Sequence, residues 1–440
     1  MLGPDVKVTL ALPSGCENEP AFNGYDKFVF DPEEQFDRRY WSVRSRLDRA
    51  HLVVSSTRVA AYNFAYAVNQ ARTLRQRLAL AGKYARSKWN STPSRYRALV
   101  HREFDLWQRQ SPSRIGDALA EQGFDCVFFP APHSERERAL ARHAKLRGLR
   151  TSALVLSFDN LTTKGRHPIV FDEYVVWSER MKRELLKLYP EIPPASVQVT
   201  GTPQFHFYYR EEYRGSRAEL AAQFGLDAAR PIVLYAAGPD ALLPHEAPIV
   251  QRFCEDLETF PEAGRPQLIV RLHPIERSPA RWEPIKQRYP HVRWDVPWQT
   301  ASGNAEWAVP SAAEIKSLCM IVRFSDVVIN AGSTMSLDAS ICDTPVVCVD
   351  YALAPFEKFA KLMHNFYDYD HYRPIATSGA IRIARTPEEL VTHLRSYLAD
   401  PTLDRPARSA LVREICGDNL EASTEAIAAV LSHENRHVNV

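Results

Sequence analysis

Phe324-Ser325-Asp326-Val327-Val328-Ile329-Asn330-Ala331-Gly332-Ser333-Thr334-Met335-Ser336-Leu337-Asp338-Ala339 is the stretch whose reading decides the fold. Val327 to Ile329 is a short β-branched run, too short for a helix and suited to a buried parallel strand. Asn330-Ala331-Gly332 breaks it, and Ser333 or Thr334 can then cap a helix running to about Ile341. Cys342-Asp343-Thr344-Pro345 ends that helix, and Val346 to Val349 is the next buried strand. A strand, a small-residue turn and a helix N-terminus together offer backbone N–H groups and a positive dipole end to an anion. The same pattern also suits an ordinary capped helix in an α/β domain.

Working outward, 440 residues exceed one ordinary core, so two domains are expected. A hydrophobic content of 45% and a charged content of 25% are those of a globular chain. The net charge of +2 carries no global signature of nucleic-acid binding, and none is expected as a partner. Seven cysteines are scattered without a CxxC pair, several inside apolar runs, which suggests reduced core residues and neither a disulfide nor a zinc framework. The N-terminus lacks the basic and apolar regions of a secretory signal, and no apolar run approaches the roughly 20 residues of a spanning helix. A cytoplasmic protein is expected, with peripheral attachment to the inner face of the membrane left open.

In chain order, Val6 to Leu12 reads as an opening strand followed by turn-rich sequence. From about Pro32 to Gln110 the pattern is mostly helical. Within the helical basic segment of about 58–110, Arg72, Arg75, Arg77, Lys83, Arg86, Lys88, Arg95, Arg97, Arg102 and Arg109 stand against only Glu103 and Asp105. The aromatics Tyr84, Trp89, Tyr96, Phe104 and Trp107 are interleaved. Two readings fit: a surface for an anionic membrane or acceptor through 72–109, or a solvated helical face with aromatics turned to the core.

From Asp125 the chain alternates strand and helix. Strands are expected at Cys126–Phe129, Ser152–Leu156, Tyr174–Trp177 and Val197–Val199, and helices from Ser134 to Arg147 and Glu179 to Leu188. A charged segment from His206 to Leu226 reads as a crossover. A second run follows, with strands at Pro231–Tyr235, Leu268–Leu272 and His291–Trp294, and helices at His245–Leu257, Pro279–Arg288, Ala312–Arg323, Pro387–Leu398 and Leu420–Leu431. Such alternation argues doubly wound parallel sheets, whose ligands bind outside the carboxyl ends of the strands.

Four pieces carry a family resemblance: Val197-Gln198-Val199-Thr200-Gly201-Thr202-Pro203, Val233-Leu234-Tyr235-Ala236-Ala237-Gly238, Ile269-Val270-Arg271-Leu272-His273-Pro274, and Gly332-Ser333-Thr334 with Asp338-Ala339 and Thr344-Pro345-Val346-Val347. Over roughly 120–350 the chain resembles the GT-B class of nucleotide-sugar glycosyltransferases, in particular bacterial surface-polysaccharide members. It is also similar to the UDP-sugar 2-epimerase and CDP-glycerol glycerophosphotransferase relatives. The first 110 residues match poorly. The resemblance implies two Rossmann-like domains facing each other across a cleft, with a mostly helical N-terminal elaboration. The domains would be 1–205 on the acceptor side, a crossover at 206–228, a nucleotide-sugar-binding domain at 229–415, and a C-terminal helix within 416–440 returning to the first domain. The implied partners are a nucleotide-sugar, as substrate and not as cofactor, and a saccharide or lipid-linked acceptor. No metal is expected.

Each candidate has a physical reason. A leaving phosphate develops negative charge, so donors and cations should be aimed at it. Ser333 and Thr334, with Gly332, fit that role. His273 lies just past a strand end and could bond or protonate the phosphate. The His-Pro and Ser-Thr pairing also resembles CMP-sugar sialyl- and Kdo-transferases, whose acidic motif ending in Gly is missing here. Asp338 could reach ribose hydroxyls, Arg271 could pair with phosphate or with a structural acid, and Gly238 would let backbone approach the donor. For acceptor activation Asp159 is the first choice, in a loop with Lys164 and Gly165, although an Asx-turn shaping that loop is the alternative. Gly201 and Thr202 border the cleft in this reading, and His245 and Glu246 are second choices. Asp368-Tyr369-Asp370 matches a metal-binding Asp-x-Asp only as a string. The sequence contains no Walker A, HExxH or nucleophile elbow. A non-catalytic scaffold that binds nucleotide-sugar or polymer is the alternative of another class.

Overall fold

The computed structural model describes residues 7–13, 22–30, 36–110, 114–133, 135–240, 242–297, 310–357 and 360–432. Val6, Cys16, Ser134 and positions 433–440 of the expected elements lie outside these. The chain divides into two units, Met1–Thr202 with Ala422–Val440, and Pro203–Glu421. Both are α/β and their sheets are wholly parallel.

The first unit opens with β1 (Thr9–Pro13) paired in parallel with β2 (Asp26–Phe30). The sequence reading had turns after β1. Asp26–Phe30 is instead a strand, with Phe28 and Phe30 buried and Val29 exposed, a period-two alternation too short to stand out. Five helices follow: Arg38–Ser55, Thr57–Gln70, Leu74–Asn90, Pro93–Gln110 and Arg114–Gln122. Asp37 starts the first by accepting from the N–H groups of Arg39 and Tyr40, both at 2.9 Å. Thr73 and Gln76 form a reciprocal capping box at the third.

Four strands then lie side by side in chain order: β3 (Cys126–Phe129), β4 (Arg150–Leu154), β5 (Glu173–Val176) and β6 (Val197–Val199). The last described helix, Ser423–Ser432, packs on this sheet. Its Ile427 meets Leu154 and Val175, and Arg150 Nη2 donates to the Leu431 carbonyl at 2.6 Å.

The second unit carries β7 (Ile232–Ala236), β8 (Gln267–Arg271), β9 (Arg293–Asp295), β10 (Val327–Asn330), β11 (Val346–Val349) and β12 (Ile381–Ala384). Every residue of β7, β10 and β11 is buried, as a parallel sheet covered on both faces requires. The strand order is β12-β11-β10-β7-β8-β9. Strands thus run outward in one direction from β7 and then in the other from β10. β12 and the helix Arg405–Cys416 were not among the expected elements. The expected crossover is part of this unit: 3-10 turns at Pro203–Tyr209 and Glu211–Tyr213 lead to the helix Arg217–Phe224. Arg217 ties that helix to the sheet through the Phe324 carbonyl at 2.6 Å and the Asp326 carboxylate at 2.9 Å.

One buried charge cluster holds the helices of the first unit. Glu103 accepts from Tyr40 OH at 2.8 Å and from Arg142 Nη2 at 2.5 Å, with Arg44 Nη1 at 3.7 Å, and all four side chains are buried. Removing the carboxylate would leave the Arg142 guanidinium without its acid in low dielectric, whereas Arg44 keeps Asp48 at 2.7 Å. Glu103→Ala should therefore destabilise the chain by about 3–5 kcal/mol, measured as a loss in urea-unfolding free energy, with Glu103→Gln less harmful.

Candidate functional site

In an open parallel sheet ligands bind at the carboxyl edge, where the strand order reverses. In the second unit that point lies between β7 and β10, whose last residues Ala236 and Asn330 are register partners. The segments leaving this edge are Ala237-Gly238 from β7, Leu272-His273-Pro274 from β8, Ala331-Gly332-Ser333-Thr334 from β10 and Asp350 from β11. The sheet thus brings Gly238, His273 and Gly332–Thr334 to one edge.

The turn after β10 is held from below. Asn330 is fully buried; its Oδ1 accepts from the Ser333 N–H at 3.0 Å and its Nδ2 donates to Ser336 Oγ at 3.0 Å. Ser336 Oγ is also 2.9 Å from Tyr372 OH. Gly332 adopts φ +67°, the left-handed region that favours glycine. The helix Met335–Ile341 starts without a side-chain cap from Thr334; Ser333 Oγ accepts from the Met335 N–H at 3.0 Å. Among the described residues neither the Ser333 hydroxyl hydrogen nor the Thr334 hydroxyl and N–H has a protein acceptor or donor. Both side chains are half-buried at the edge.

His273 is also half-buried, and burial lowers its imidazole below the usual value, with Glu276 opposing and Arg271 adding to the shift. Its Nδ1 accepts from the Ile275 N–H at 3.2 Å. The neutral ring therefore carries its proton on Nε2, where it is a hydrogen-bond donor.

Other sequence candidates have structural partners. Asp338 is buried, and its Oδ1 accepts from Tyr208 OH at 2.7 Å. Burial raises its carboxyl to about 6 against the pull of Tyr208 and Arg271. Arg271 is buried and paired with Asp295, beside a cavity of about 230 Å³ lined also by Gln223, Val296, Glu314 and Ser317. Gly238 has its N–H bonded to Glu246 Oε2 at 2.8 Å and its carbonyl to Arg281 at 3.0 Å, and a Cβ there would lie 2.2 Å from Leu243 Cδ1. The glycine thus admits Leu243. Glu246 is fully buried, also accepts from Tyr235 OH at 3.3 Å, and is raised by desolvation to about 8. His245 is buried with Nε2 at 2.6 Å from Met363 Sδ, and burial lowers it to about 4.

In the first unit, Asp159 closes a short turn. Its Oδ1 accepts from Ser157 Oγ at 2.5 Å and its Oδ2 from Thr163 Oγ1 at 2.8 Å, while its carbonyl caps Thr162 and Thr163. Lys164 is exposed. Gly201 has φ +76°, and the Thr202 carbonyl accepts from Ser423 Oγ at 3.1 Å. The sequence reading missed what lies under this loop. His133 Nδ1 donates to the Gly165 carbonyl at 3.1 Å, and His133 Nε2 is 3.3 Å from His167 Nε2. Burial lowers His133 to about 4 and His167 well below its usual value, so both rings are neutral. Glu137, just past β3, is raised by desolvation to about 7. Its surroundings in sequence, a run of alternating charges, gave no sign of burial.

A second missed pair stands at the carboxyl end of β11. Asp350, with only 2% of its side chain exposed, lies 2.8 Å from His364 Nδ1, and His364 is 55% exposed. Burial raises the Asp350 carboxyl while His364 and Arg385 pull it down. A buried carboxylate bonded to Nδ1 of an exposed imidazole is an arrangement suited to acid–base chemistry. An acid immediately after the Val346–Val349 run was its sequence signal.

No protein-family model matches the chain, and no curated protein matches it in sequence. Solved structures do resemble it. The putative UDP-N-acetylglucosamine 2-epimerase of Listeria monocytogenes is 13% identical, with 74% of this chain and 80% of that chain covered and a TM-score of 0.49. The UDP-GlcNAc 2-epimerase of Neisseria meningitidis bound to UDP-GlcNAc is 12% identical, with 78% and 83% covered and a TM-score of 0.49. The wall teichoic acid polymerase TagF is 15% identical, with 59% and 55% covered and a TM-score of 0.39.

The burial of Asp338 makes a signed prediction. A carboxyl whose folded pKa is raised to about 6 holds its proton better in the folded state than in the unfolded one, so its ionisation costs stability above that pH. Asp338→Asn should raise the melting temperature at pH 8. The gain, on the order of 1–3 kcal/mol, should shrink as pH falls through 6 towards 4, where the acid is already neutral. A pH-independent loss on substitution would refute this account.

Proposed function

We propose that the chain is a metal-independent glycosyltransferase of the GT-B type. It moves a sugar from a nucleotide-sugar to a saccharide or lipid-linked acceptor in cell-surface polysaccharide assembly, at the cytoplasmic face of the membrane. The observation that carries the reading is the strand reversal between β7 and β10, which gathers His273 and Gly332–Thr334 on one carboxyl edge with unused donors. The four ordered motifs of the sequence support the same assignment.

In this reading the donor's phosphates sit against Ser333 and Thr334. As the glycosidic bond breaks, negative charge grows on the leaving phosphate. The two hydroxyls, the Thr334 N–H and His273 Nε2–H then donate hydrogen bonds that strengthen as that charge develops. Asn330 holds the turn that carries Ser333 and Thr334 before substrate arrives. The acceptor hydroxyl needs a base: Asp159 and Glu137 stand at the carboxyl edge of the first unit's sheet, and Asp350–His364 at that of the second. Asp159 remains our assignment for that role.

Thermal-shift titration against UDP-, GDP-, CDP- and CMP-linked sugars tests the donor site directly, because a ligand that binds only the folded state raises its melting temperature. One donor class should stabilise the wild type. The double substitution Ser333→Ala/Thr334→Ala should weaken that response at least about tenfold in affinity. His273→Ala should lower turnover by roughly 10²-fold or more with a smaller effect on affinity. Unchanged binding and turnover in both variants would sink the assignment. Product analysis with donor alone separates the transferase from a UDP-sugar 2-epimerase on the same fold, and CDP-glycerol consumption would mark a glycerophosphotransferase. Absence of any turnover with intact binding would leave a scaffold.

A further inference from the structure

The helix Leu74–Asn90 is turned almost wholly to solvent, with Ser87 and Asn90 as its buried residues. Its exposed side is not polar. Leu74 is 72% exposed, Leu78 65% and Trp89 57%. With the exposed Ala81 and Ala85 they follow at helical spacings of three and four, forming one apolar stripe opposite the buried residues. Arg75 and Arg86 border the stripe on one side, Arg77 and Lys88 on the other, and all four are exposed. No acidic residue occurs in the helix. Arg95, from the next helix, lies 3.9 Å over the Trp89 ring and adds a further cation beside the stripe.

We infer that this face is a docking surface for an anionic lipid bilayer, with Leu74, Leu78 and Trp89 entering the headgroup–acyl boundary and the flanking cations lying at the lipid phosphates. Three features favour lipid over a protein partner. Apolar residues at the centre with cations on both flanks match the depth profile of a membrane surface, where apolar tails lie below a plane of negative charge. Long basic side chains reach sideways to that plane while their stems stay on the apolar side. A second copy of the chain would meet this face with like charges on both flanks and no acid to pair them, so self-association is opposed. Among the described residues no helix is long and apolar enough to cross a membrane. The inference does not rest on the donor-site assignment, because none of these residues belongs to it.

Co-sedimentation of the full chain with vesicles tests it. Wild type should bind vesicles of equal phosphatidylglycerol and phosphatidylcholine and bind pure phosphatidylcholine at least about tenfold more weakly. Arg75→Glu/Arg77→Glu/Arg86→Glu should reduce partitioning by about a hundredfold or more, since each basic residue near such a surface contributes severalfold. Leu74→Ser/Leu78→Ser/Trp89→Ser should reduce it at least about tenfold with every charge retained. The six side chains are exposed, so circular dichroism, melting temperature and the nucleotide response should match wild type in both variants. Four outcomes overturn the inference: no binding to anionic vesicles, binding retained in the charge variant, binding insensitive to the apolar substitutions, or a wild-type dimer in gel filtration that the apolar variant dissolves.

Discussion

All carboxyl ends of a parallel sheet point the same way, so every loop that leaves them competes for the same edge. Where the strand order runs outward in both directions from one place, the loops diverge and leave a crevice. In the second unit that place is fixed by the pairing of β7 with β10, two strands buried at every residue. The donor candidates depend on this pairing. His273 is far in sequence from Gly332–Thr334, and they share an edge only because the first and fourth strands are neighbours. The buried Asn330 carries the constraint from the sheet into the turn, since an amide in a dry interior must satisfy its own hydrogen bonds and does so by holding Ser333 and Ser336.

Burial also separates residues available for chemistry from residues engaged by the fold. Asp338, Arg271, Glu246 and His245 are all buried with partners of their own, Tyr208, Asp295, Gly238 with Tyr235, and Met363. A charge in low dielectric without a partner is costly, so such partners are the rule. Ser333, Thr334 and His273 differ. They are half-buried at the edge and keep unused donors, the condition for binding an anion without breaking an internal bond. Asp350 and His364 combine both states, a buried acid orienting an exposed imidazole.

The first unit divides its basic helical stretch in the same way. Glu103, which with Asp105 reads in sequence as one of two acids among cations, faces inward and pairs with Arg44 and Arg142 in the core. The Leu74–Asn90 helix keeps its cations and its large apolar side chains outside. Two adjacent helices of similar composition thus have opposite roles, decided by which face each turns to its neighbours. A composition count over the whole stretch averages these two roles away.

The sequence by itself determined the α/β class, most strands of both units and the turn at Gly332. Buried parallel strands are short β-branched runs, and the break after Val327–Ile329 follows from local backbone preference. It also placed His273 directly after one such run and Ser333–Thr334 just beyond the small-residue break that ends another. It did not reveal β2, β12 or the helix Arg405–Cys416, whose patterns are short or mixed. Nor did it disclose that Gly238 makes room for Leu243, that Asp338 is bonded to Tyr208, or that the His133 and His167 rings meet through their Nε2 atoms at 3.3 Å, with His133 bonded to the Gly165 carbonyl. Those facts depend on partners distant in the chain. A side chain's protonation, burial and remaining hydrogen-bonding capacity are set by what packs against it, and local pattern carries no record of that.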